Sequence, residues 1–312
     1  MEGRGYTPAM RRESDDHMAP TPEVGTSLVE DLGEAAEMIA FKHSVFALPF
    51  ALMSLITAAG AGWPSARVWI WVVIAMVAAR TAAMSFNRLA DHQIDFQNPR
   101  TVNRSLPAGR LSRRFTWVVT IASAAVFVLA ASRLNSLCLW LALPTLGVLL
   151  GYSLAKRFTS AAHLWLGFAL GIAPIGAWIA VTGSIAAPSV VLGAAVMFWV
   201  AGFDTIYSLQ DEDFDRTHGL KSLPSKVGAD RALWIARIFH LAALAGFSIF
   251  AVEAGGGWVR FAAIAAAACL MAWQHRLVRP GDLSRVDAAF FSANGLLAVV
   301  MCVCFIIAKI VG

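Results

Sequence analysis

Charged side chains are scarce in this chain of 312 residues, in which Asp, Glu, Lys and Arg together make up 14%. Soluble globular domains carry about a quarter charged residues, so the composition excludes an ordinary soluble enzyme. Apolar and aromatic residues make up 58% of the chain instead. Because about 20 apolar residues span the hydrocarbon core of a bilayer, this content suffices for roughly eight or nine crossings. The sequence therefore predicts one polytopic membrane domain.

Cysteine is also scarce, with four residues in the whole chain. None has the paired spacing of a zinc site, and their number is too low for a disulfide-rich secreted scaffold. Each lies inside an apolar run, so we expect them to pack against neighbouring helices or lipid. They are Cys138, Cys269, Cys302 and Cys304.

The first forty residues lack the pattern of a signal peptide, because no short apolar core follows the basic residues there. They hold most of the unpatterned polar residues of the chain, including Arg11 and Asp16. We expect a solvated, disordered polar tail over 1–37 and a single membrane domain over 38–312.

Hydropathy predicts an all-α fold with nine transmembrane helices. Short connections alternate with long, charged ones along the chain. The predicted spans cover about 38–60, 66–88, 115–132, 134–154, 162–182, 188–208, 231–252, 258–275 and 287–310.

Basic residues are distributed unevenly between the two sides that these nine spans define. Fifteen Lys and Arg residues fall in the connections after the second, fourth, sixth and eighth spans, and four fall on the opposite side. The positive-inside bias then makes the long loops and the N-terminus cytoplasmic and the C-terminus external. We attribute the net charge of +5 to this orientation and expect no nucleic-acid partner.

Two of the predicted cytoplasmic connections carry oxygen-bearing side chains at every fourth position. The first contains Asn87, Asp91 and Asp95, and the second contains Tyr207, Asp211 and Asp215. Four residues turn a helix by about 400° and advance it by about 6 Å. The members of each set are therefore expected to share one helical face.

Carboxylates stacked on one helical face repel each other unless a cation lies between them. Mg²⁺ is the natural candidate, because it accepts protein carboxylates and completes its octahedron with phosphate oxygens and water. A single such pair is more simply explained as solvated aspartates at a helix end. Here, however, there are two sets on one side of a membrane, and each is followed by basic residues and a Gly/Pro turn. This repetition favours a functional site over solvated helix ends. The predicted metal ligands are Asn87, Asp91, Asp95, Asp211 and Asp215.

Basic residues follow both acidic sets. Arg100, Arg104, Lys221 and Lys226 lie 5 to 15 residues beyond the aspartates, where a loop can fold back over the same cavity. Arginine grips phosphate with two hydrogen bonds and lysine acts as a point charge. A third connection adds Lys156 and Arg157, for which interfacial snorkelling is the alternative. Together, metal ligands and cations predict a diphosphate site.

In combination these motifs resemble the UbiA superfamily of intramembrane aromatic prenyltransferases, of which 4-hydroxybenzoate polyprenyltransferase is the type. The resemblance covers nearly all of Lys42 to Asn294. Arg88 departs from the family pattern, because many members have an acidic residue at this position. The resemblance rests on the segments Lys42 to Phe50, Asn87 to Asp95, Asn98 to Gly109, Tyr152 to Thr159, and Tyr207 to Ser222.

The resemblance implies nine helices around a central cavity, with cytoplasmic aspartate motifs that hold Mg²⁺ and a prenyl diphosphate beside an aromatic acceptor. The implied catalytic residues are Asp91, Asp95, Asp211, Asp215, Arg104 and Tyr207. The implied substrate-binding residues are Asn87, Arg88, Arg100, Lys156, Arg157, Lys221 and Lys226.

The resemblance further implies Mg²⁺-dependent transfer of a polyprenyl group to 4-hydroxybenzoate in quinone biosynthesis, in the inner membrane of a cell. A bicyclic hydroxynaphthoate of menaquinone synthesis is the alternative acceptor. A membrane transporter is the rival class, since intramembrane charges also mark ion paths. Arg80 and Arg237 lie within predicted spans, where each is a candidate to contact the acceptor carboxylate or the diphosphate, or to pair with a backbone carbonyl.

Overall fold

The computed structural model describes residues 33–34 and 46–311. Within these residues the regular structure is helical, apart from one isolated bridge between Arg279 and Asp282. The predicted tail over 1–37 lies outside the described residues except for Gly33 and Glu34, and so do the first eight residues assigned to the membrane domain.

Twelve α-helices follow one another along the described chain. A 3₁₀ turn (Ser208–Asp211) separates α7 from α8, and a π-helical turn (Ala288–Ala293) precedes α12. The helices are α1 (Leu48–Ala58), α2 (Ala66–Ala90), α3 (His92–Gln97), α4 (Arg113–Leu134), α5 (Ser136–Ala155), α6 (Ala162–Thr182), α7 (Ala187–Tyr207), α8 (Glu212–Thr217), α9 (Leu223–Val227), α10 (Ala229–Glu253), α11 (Trp258–Leu277) and α12 (Asn294–Val311).

Seven of the long helices are long and apolar enough to cross a membrane, which makes the chain a multi-pass membrane protein. Helix α1, with 11 residues, and α11, which carries polar residues towards its end, fall outside that set. Seven of the nine predicted spans nevertheless coincide with helices to within two residues at each end, and the span 287–310 does so when the π-helical turn before α12 is included. The first predicted span, 38–60, corresponds to the shorter α1.

Helices α6 and α7 approach each other closely because glycines face one another across their contact. A Cβ atom on Gly171 would lie 2.4 Å from the carbonyl oxygen of Gly193, and one on Gly193 would lie 2.7 Å from the carbonyl oxygen of Gly171. Small residues allow such backbone contact between membrane helices, where dispersion forces replace the hydrophobic effect. This contact fixes α7, the helix that leads into the second acidic motif.

An aromatic core surrounds Trp199 of α7. The Trp199 ring lies 5.0 Å from the ring of Phe50 and 4.9 Å from that of Phe203. Its indole nitrogen donates a 3.0 Å hydrogen bond to Asn294 Oδ1, and the Asn294 amide donates to the carbonyls of the π-helical turn. These buried polar groups thus join α7 to α12.

All four cysteines are free thiols.

The four basic connections meet at one end of the helix bundle. Arg100 of the first connection pairs with Asp211 of the third, and the Lys221 amide of the third donates to the Lys156 carbonyl of the second. Leu209 and Val286 belong to one apolar cluster that joins the third connection to the fourth. Arg67 donates to the Arg133 carbonyl at the opposite end. The charged connections therefore share one side of the protein.

Candidate active site

A polar cavity lies where the charged connections meet. Eleven of the thirteen residues that the sequence singles out line it. They are Asn87, Arg88, Asp91, Asp95, Arg100, Arg104, Lys156, Arg157, Tyr207, Asp211 and Asp215.

The first acidic motif interrupts its helix where it enters this cavity. Helix α2 ends at Ala90, and Asp91 has φ −94° and ψ 6°, outside the helical region, before α3 begins at His92. The amide of Asp91 still donates to the Asn87 carbonyl, and that of Asp95 donates to the Asp91 carbonyl. The side chains of Asn87, Asp91 and Asp95 therefore keep a common direction across the break.

The second acidic motif repeats this arrangement. Helix α7 ends at Tyr207, a 3₁₀ turn follows, and Asp211 has φ −103° and ψ 6° immediately before α8. The predicted continuous helical face is thus wrong in detail, because each motif bends at its middle aspartate. Asp211 and Asp215 are nevertheless buried at the cavity, while Asp213 is exposed.

Arg100 and Asp211 form the closest ion pair of the cavity. Arg100 Nε donates to Asp211 Oδ1 over 2.9 Å, and Arg100 Nη2 donates to Asp211 Oδ2 over 2.5 Å. Asn98 Nδ2 donates to Asp211 Oδ1 over 3.1 Å, and Arg100 Nη1 donates to the Tyr207 hydroxyl over 3.3 Å. This two-bond fork fixes the plane of the carboxylate.

The other motif aspartates also face basic residues. Arg104 Nη1 donates to Asp95 Oδ1 over 2.8 Å, and Arg88 lies 3.8 Å from Asp95 Oδ2. The remaining two pairs are looser: Arg157 Nη2 lies 3.4 Å from Asp91 Oδ1, and Lys156 Nζ lies 3.9 Å from Asp215 Oδ2. Arg157 also donates to the carbonyl of Ala90 at the end of α2.

The acids and bases of the cavity perturb each other's protonation. Burial raises the pKa of Asp91, and the charge of Asp95 raises it further, while Arg157 and Lys156 oppose the shift. Burial is the largest single influence on the pKa of Arg100 and lowers it, but the hydrogen bond to Asp211 together with the attraction of nearby negative charges raises the pKa overall. Asp91 therefore binds a proton more readily than an exposed aspartate does.

The carboxylates suit a metal ion that binds together with other oxygen ligands. Within the described residues no group of three or more His, Cys, Asp or Glu side chains converges closely enough to form a complete metal site. Asp95 Oδ2 and Asp215 Oδ2, however, are buried and have no hydrogen-bond partner in the part of the chain that the structure describes. Unsatisfied buried carboxylate oxygens are costly, and Mg²⁺ commonly takes one or two protein carboxylates and completes its shell with phosphate and water. The donor set therefore fits this ion when a phosphate supplies the remaining oxygens.

Two predicted substrate-binding residues are not part of the cavity lining. Lys221 Nζ donates to the Phe158 carbonyl over 3.3 Å, and Lys226 Nζ lies 3.5 Å from Ser160 Oγ. Gly219, at φ 69°, turns the chain away after α8 and leads it towards α9. Both lysines consequently pack on the connection between α5 and α6 instead of over the aspartates.

The structure adds cavity residues that the sequence interpretation did not single out. Asp204 lines the cavity and lies 2.6 Å from His163 Nδ1 through its Oδ2 atom. Asp204 lies three residues before Tyr207 and seven before Asp211, on the same helical face, so helical spacing alone could have identified it. No local pattern identifies His163, which is 41 residues away in sequence.

An apolar cavity adjoins the polar one, and Met84, Tyr152 and Leu166 belong to the walls of both. Arg80 is the charged residue among the described side chains of the apolar wall, and its Nε and Nη2 atoms are buried without hydrogen-bond partners. Arg237, in contrast, is exposed and stacks on Trp234 at 4.7 Å. Only Arg80 of these two residues is therefore available to a ligand in the cavities.

Comparison with known proteins identifies relatives of this chain. The model of the UbiA prenyltransferase family matches residues 47–296. A 4-hydroxybenzoate octaprenyltransferase of Cupriavidus necator is 31% identical over 77% of this chain and 84% of its own length. A protein of the same name from Methylobacillus flagellatus is 28% identical over 78% of this chain and 81% of its own length.

Solved structures share the fold. The apo structure of a UbiA homologue from Aeropyrum pernix K1 superposes with a TM-score of 0.78 at 33% identity, over 85% of this chain and 98% of that one. A UbiA homologue from Archaeoglobus fulgidus, bound to GPP and Mg²⁺, superposes with a TM-score of 0.67 at 15% identity, over 89% of this chain and all of the other.

Proposed function

The chain belongs to the UbiA prenyltransferase family, and we propose that it transfers a polyprenyl group from a polyprenyl diphosphate to 4-hydroxybenzoate with the help of Mg²⁺. The observation that carries this proposal is the single cavity shared by both aspartate motifs and five cations. The names of the relatives support the acceptor, and the Mg²⁺-bound and GPP-bound homologue supports the ion and the diphosphate.

The charge of the cavity accounts for its need of a metal. Each motif aspartate already faces an Arg or Lys, so these cations alone do not offset the negative charge of an added diphosphate. Asp91, Asp95, Asp211 and Asp215, with Asn87 as a neutral donor, would hold Mg²⁺. When bound, the ion would neutralise the diphosphate and ease its departure as a leaving group.

The basic residues would bind the diphosphate itself. With the ion in place, Arg100 and Arg104 would donate to phosphate oxygens with N–H groups that do not contact the aspartates, and Lys156 and Arg157 would lie beside them. Their charges stabilise the negative charge that grows on the diphosphate as the allylic C–O bond breaks. Arg88 lies 3.8 Å from the Asp95 carboxylate and adds a further positive charge at that side of the cavity.

Tyr207 suits the organic half of the same reaction. Its ring lines the cavity, lies 4.1 Å from the Phe290 ring at a tilt of 32° and lies 5.5 Å from the Arg100 guanidinium. The electron-rich face of a tyrosine stabilises a nearby cation, here the allyl cation. The adjoining apolar cavity would hold the prenyl chain and exclude the water that would otherwise trap this cation.

Arg80 explains the preference for an aromatic acid. A buried guanidinium with two unpartnered nitrogen atoms needs an anion, and a carboxylate offers a matching pair of oxygens. Because Arg80 lines the apolar cavity and Tyr152 lines both cavities, an acceptor whose carboxylate binds Arg80 would extend towards the polar cavity and the diphosphate. A hydroxynaphthoate also carries a carboxylate, so it remains the competing acceptor for the experiment below.

The proposed membrane topology follows from the distribution of basic residues along the chain. We propose nine crossings within one catalytic domain over 38–312, with the charged connections and the N-terminus cytoplasmic and the C-terminus external, in the inner membrane of a bacterial cell. The excess of basic residues on the charged side supports this orientation.

The experiment supplies purified protein in lipid with a labelled polyprenyl diphosphate, Mg²⁺ and one acceptor at a time. We expect prenylated 4-hydroxybenzoate, no product after chelation of the metal, and no product from Asp215→Ala. Asp213→Ala is the matched control, because Asp213 is exposed. Transfer to the hydroxynaphthoate alone would assign the other acceptor, and absence of transfer to both would refute the proposal.

A role for Arg80 is tested by comparing Arg80→Leu with wild-type protein. We expect the KM for 4-hydroxybenzoate to rise at least tenfold, the value for one lost ionic contact of about 1.4 kcal/mol. The KM for the prenyl diphosphate should change little. An equal rise in both KM values would mean that Arg80 supports the fold instead of the acceptor.

A further inference from the structure

Asp204 differs from the other aspartates of the polar cavity. The described cavity wall contains five aspartates, and the four of the acidic motifs each lie within 4 Å of an Arg or Lys. The ion-pair partner of Asp204 is instead His163, whose Nδ1 atom lies 2.6 Å from Asp204 Oδ2. A carboxylate that is not committed to a fixed cation is free to accept a proton during a reaction.

The surroundings of His163 determine which of its ring nitrogens carries the proton. The backbone N–H of Leu223, at the start of α9, points at His163 Nε2 over 3.2 Å. Because Nε2 accepts this hydrogen bond, the neutral ring carries its proton on Nδ1 and donates it to Asp204. The His163 side chain is 2% exposed, so the ring is held in this orientation by its surroundings.

One face of the Asp204 carboxylate remains open to the cavity. Oδ2 accepts from His163, whereas Oδ1 has no hydrogen-bond partner among the described residues. The side chain keeps 19% of its surface exposed, and this surface belongs to the cavity wall. The carboxylate is therefore oriented by one oxygen and accessible through the other.

Asp204 also lies deeper in the bundle than the acidic motif that follows it. It lies three residues before Tyr207 on α7, about 4.5 Å further from the charged end of the bundle. Tyr152 lines the polar cavity together with Asp204 and the apolar cavity together with Arg80. An acceptor whose carboxylate binds Arg80 would thus extend its para hydroxyl into the region between Tyr152 and Asp204.

We propose that Asp204 is a catalytic base that removes the proton of the acceptor hydroxyl, and that His163 is the residue that positions it; this inference rests on the proposed function. The O–H bond breaks, the proton moves to Asp204, and the electron pair stays on the phenolate oxygen. The C–O bond to diphosphate breaks, and its electron pair leaves with the diphosphate. The ring carbon ortho to the phenolate oxygen then forms a bond to the carbon of the allyl cation.

The remaining steps restore both the ring and the base. The attacked carbon loses its hydrogen as a proton to the departing diphosphate, and the C–H electron pair re-forms the aromatic ring. Asp204 then returns its proton to the phenolate oxygen of the product. The net change is one new C–C bond and one protonated diphosphate, so Asp204 ends as it began.

The test compares Asp204→Asn with wild-type protein on two acceptors. Asparagine has nearly the same shape as aspartate but does not accept the proton. With 4-hydroxybenzoate we expect kcat to fall about 100-fold, the lower range for loss of a general base, with an unchanged KM for the prenyl diphosphate. The second acceptor is 3-fluoro-4-hydroxybenzoate, which has a more acidic hydroxyl and one free ortho carbon. At a pH that ionises this hydroxyl, the ratio of wild-type to variant rates should shrink to less than tenfold.

Two substitutions of His163 test the positioning role separately. In His163→Asn the amide nitrogen replaces Nδ1 and keeps the donor to Asp204, whereas in His163→Gln the amide replaces Nε2 and keeps only the acceptor for Leu223. We expect His163→Gln to lose activity on 4-hydroxybenzoate with the same partial rescue by the fluorinated acceptor. His163→Asn should retain most of the activity. These variants also keep the proposal testable if Asp204→Asn does not fold.

The outcomes separate the two levels of the argument. Wild-type protein that prenylates neither acceptor would overturn the proposed function and this inference together. If the wild-type protein is active and Asp204→Asn and His163→Gln lose the same factor of activity on both acceptors, only the role of Asp204 as a base is overturned. Equal losses in His163→Asn and His163→Gln would assign His163 to the packing of α9 and overturn its positioning role.

Discussion

Replacement of Arg100 by lysine tests whether the geometry of one ion pair, and not its charge alone, supports catalysis. Arg100 makes two hydrogen bonds to Asp211, of 2.9 and 2.5 Å, and a third of 3.3 Å to the Tyr207 hydroxyl. A lysine ammonium keeps the positive charge but does not reproduce the planar fork. Arg100→Lys therefore removes at least one charge-assisted hydrogen bond and releases the Asp211 carboxylate from its fixed plane.

The size of the effect follows from the contact and its exposure. A hydrogen bond to a charged group contributes about 1.5 to 3 kcal/mol. The Arg100 side chain is 30% exposed, so solvent screening favours the lower half of that range. A loss of about 1.5 to 2 kcal/mol corresponds to about a 10- to 30-fold fall in kcat/KM.

The assay measures kcat/KM for the prenyl diphosphate and the Mg²⁺ concentration that gives half-maximal rate, at saturating acceptor. In Arg100→Lys we expect kcat/KM to fall and the half-saturating Mg²⁺ concentration to rise, since Asp211 is a proposed metal ligand. Arg113→Lys is the control, because Arg113 is exposed at the start of α4 and forms no ion pair among the described residues. If the two variants are equally active to within twofold, the fork does not matter and the reasoning is refuted.

Other expected outcomes can be checked with the same preparations. Arg104→Lys should reduce kcat/KM less than Arg100→Lys does, because Arg104 makes one hydrogen bond to its aspartate instead of two; a larger loss would contradict this ranking. Asp91→Ala should abolish transfer while the protein stays inserted and folded, and Asp213→Ala should lie within a few-fold of wild type; the reverse order would contradict the placement of the second motif. The half-saturating Mg²⁺ concentration should rise as the pH falls, because a metal ligand must be deprotonated. The rise should begin above the ordinary aspartate pKa of 3.8, since the pKa of Asp91 is raised. A half-saturating concentration that stays unchanged down to pH 4 would count against Asp91 as a ligand. Gly171→Ala should lower the thermal unfolding temperature, with a cost of about 1 to 3 kcal/mol for overpacking, whereas Gly176→Ala on the same helix should not, since a Cβ there meets no atom within 4 Å.

Local properties of the sequence were sufficient to predict most of the helices. Because hydropathy and helical period are local, seven predicted spans coincide with helices to within two residues, and the last does so once the π-helical turn is included. The side chains spaced four residues apart in the first motif keep a common direction, because the backbone hydrogen bonds around Asp91 continue across the break in the helix. Eleven of the thirteen residues that the sequence singles out line one cavity, and their roles there stay a prediction.

Only the tertiary structure decided which of these groups meet. Arg100 pairs with an aspartate 111 residues away, and His163 with one 41 residues away, and no local pattern encodes such partners. The turn at Gly219 likewise carries Lys221 and Lys226 away from the aspartates, although their spacing in sequence resembles that of Arg100 and Arg104. Side-chain partners across a bundle depend on how helices pack and where each loop folds back, and the free energy of that packing comes from contacts distant in sequence.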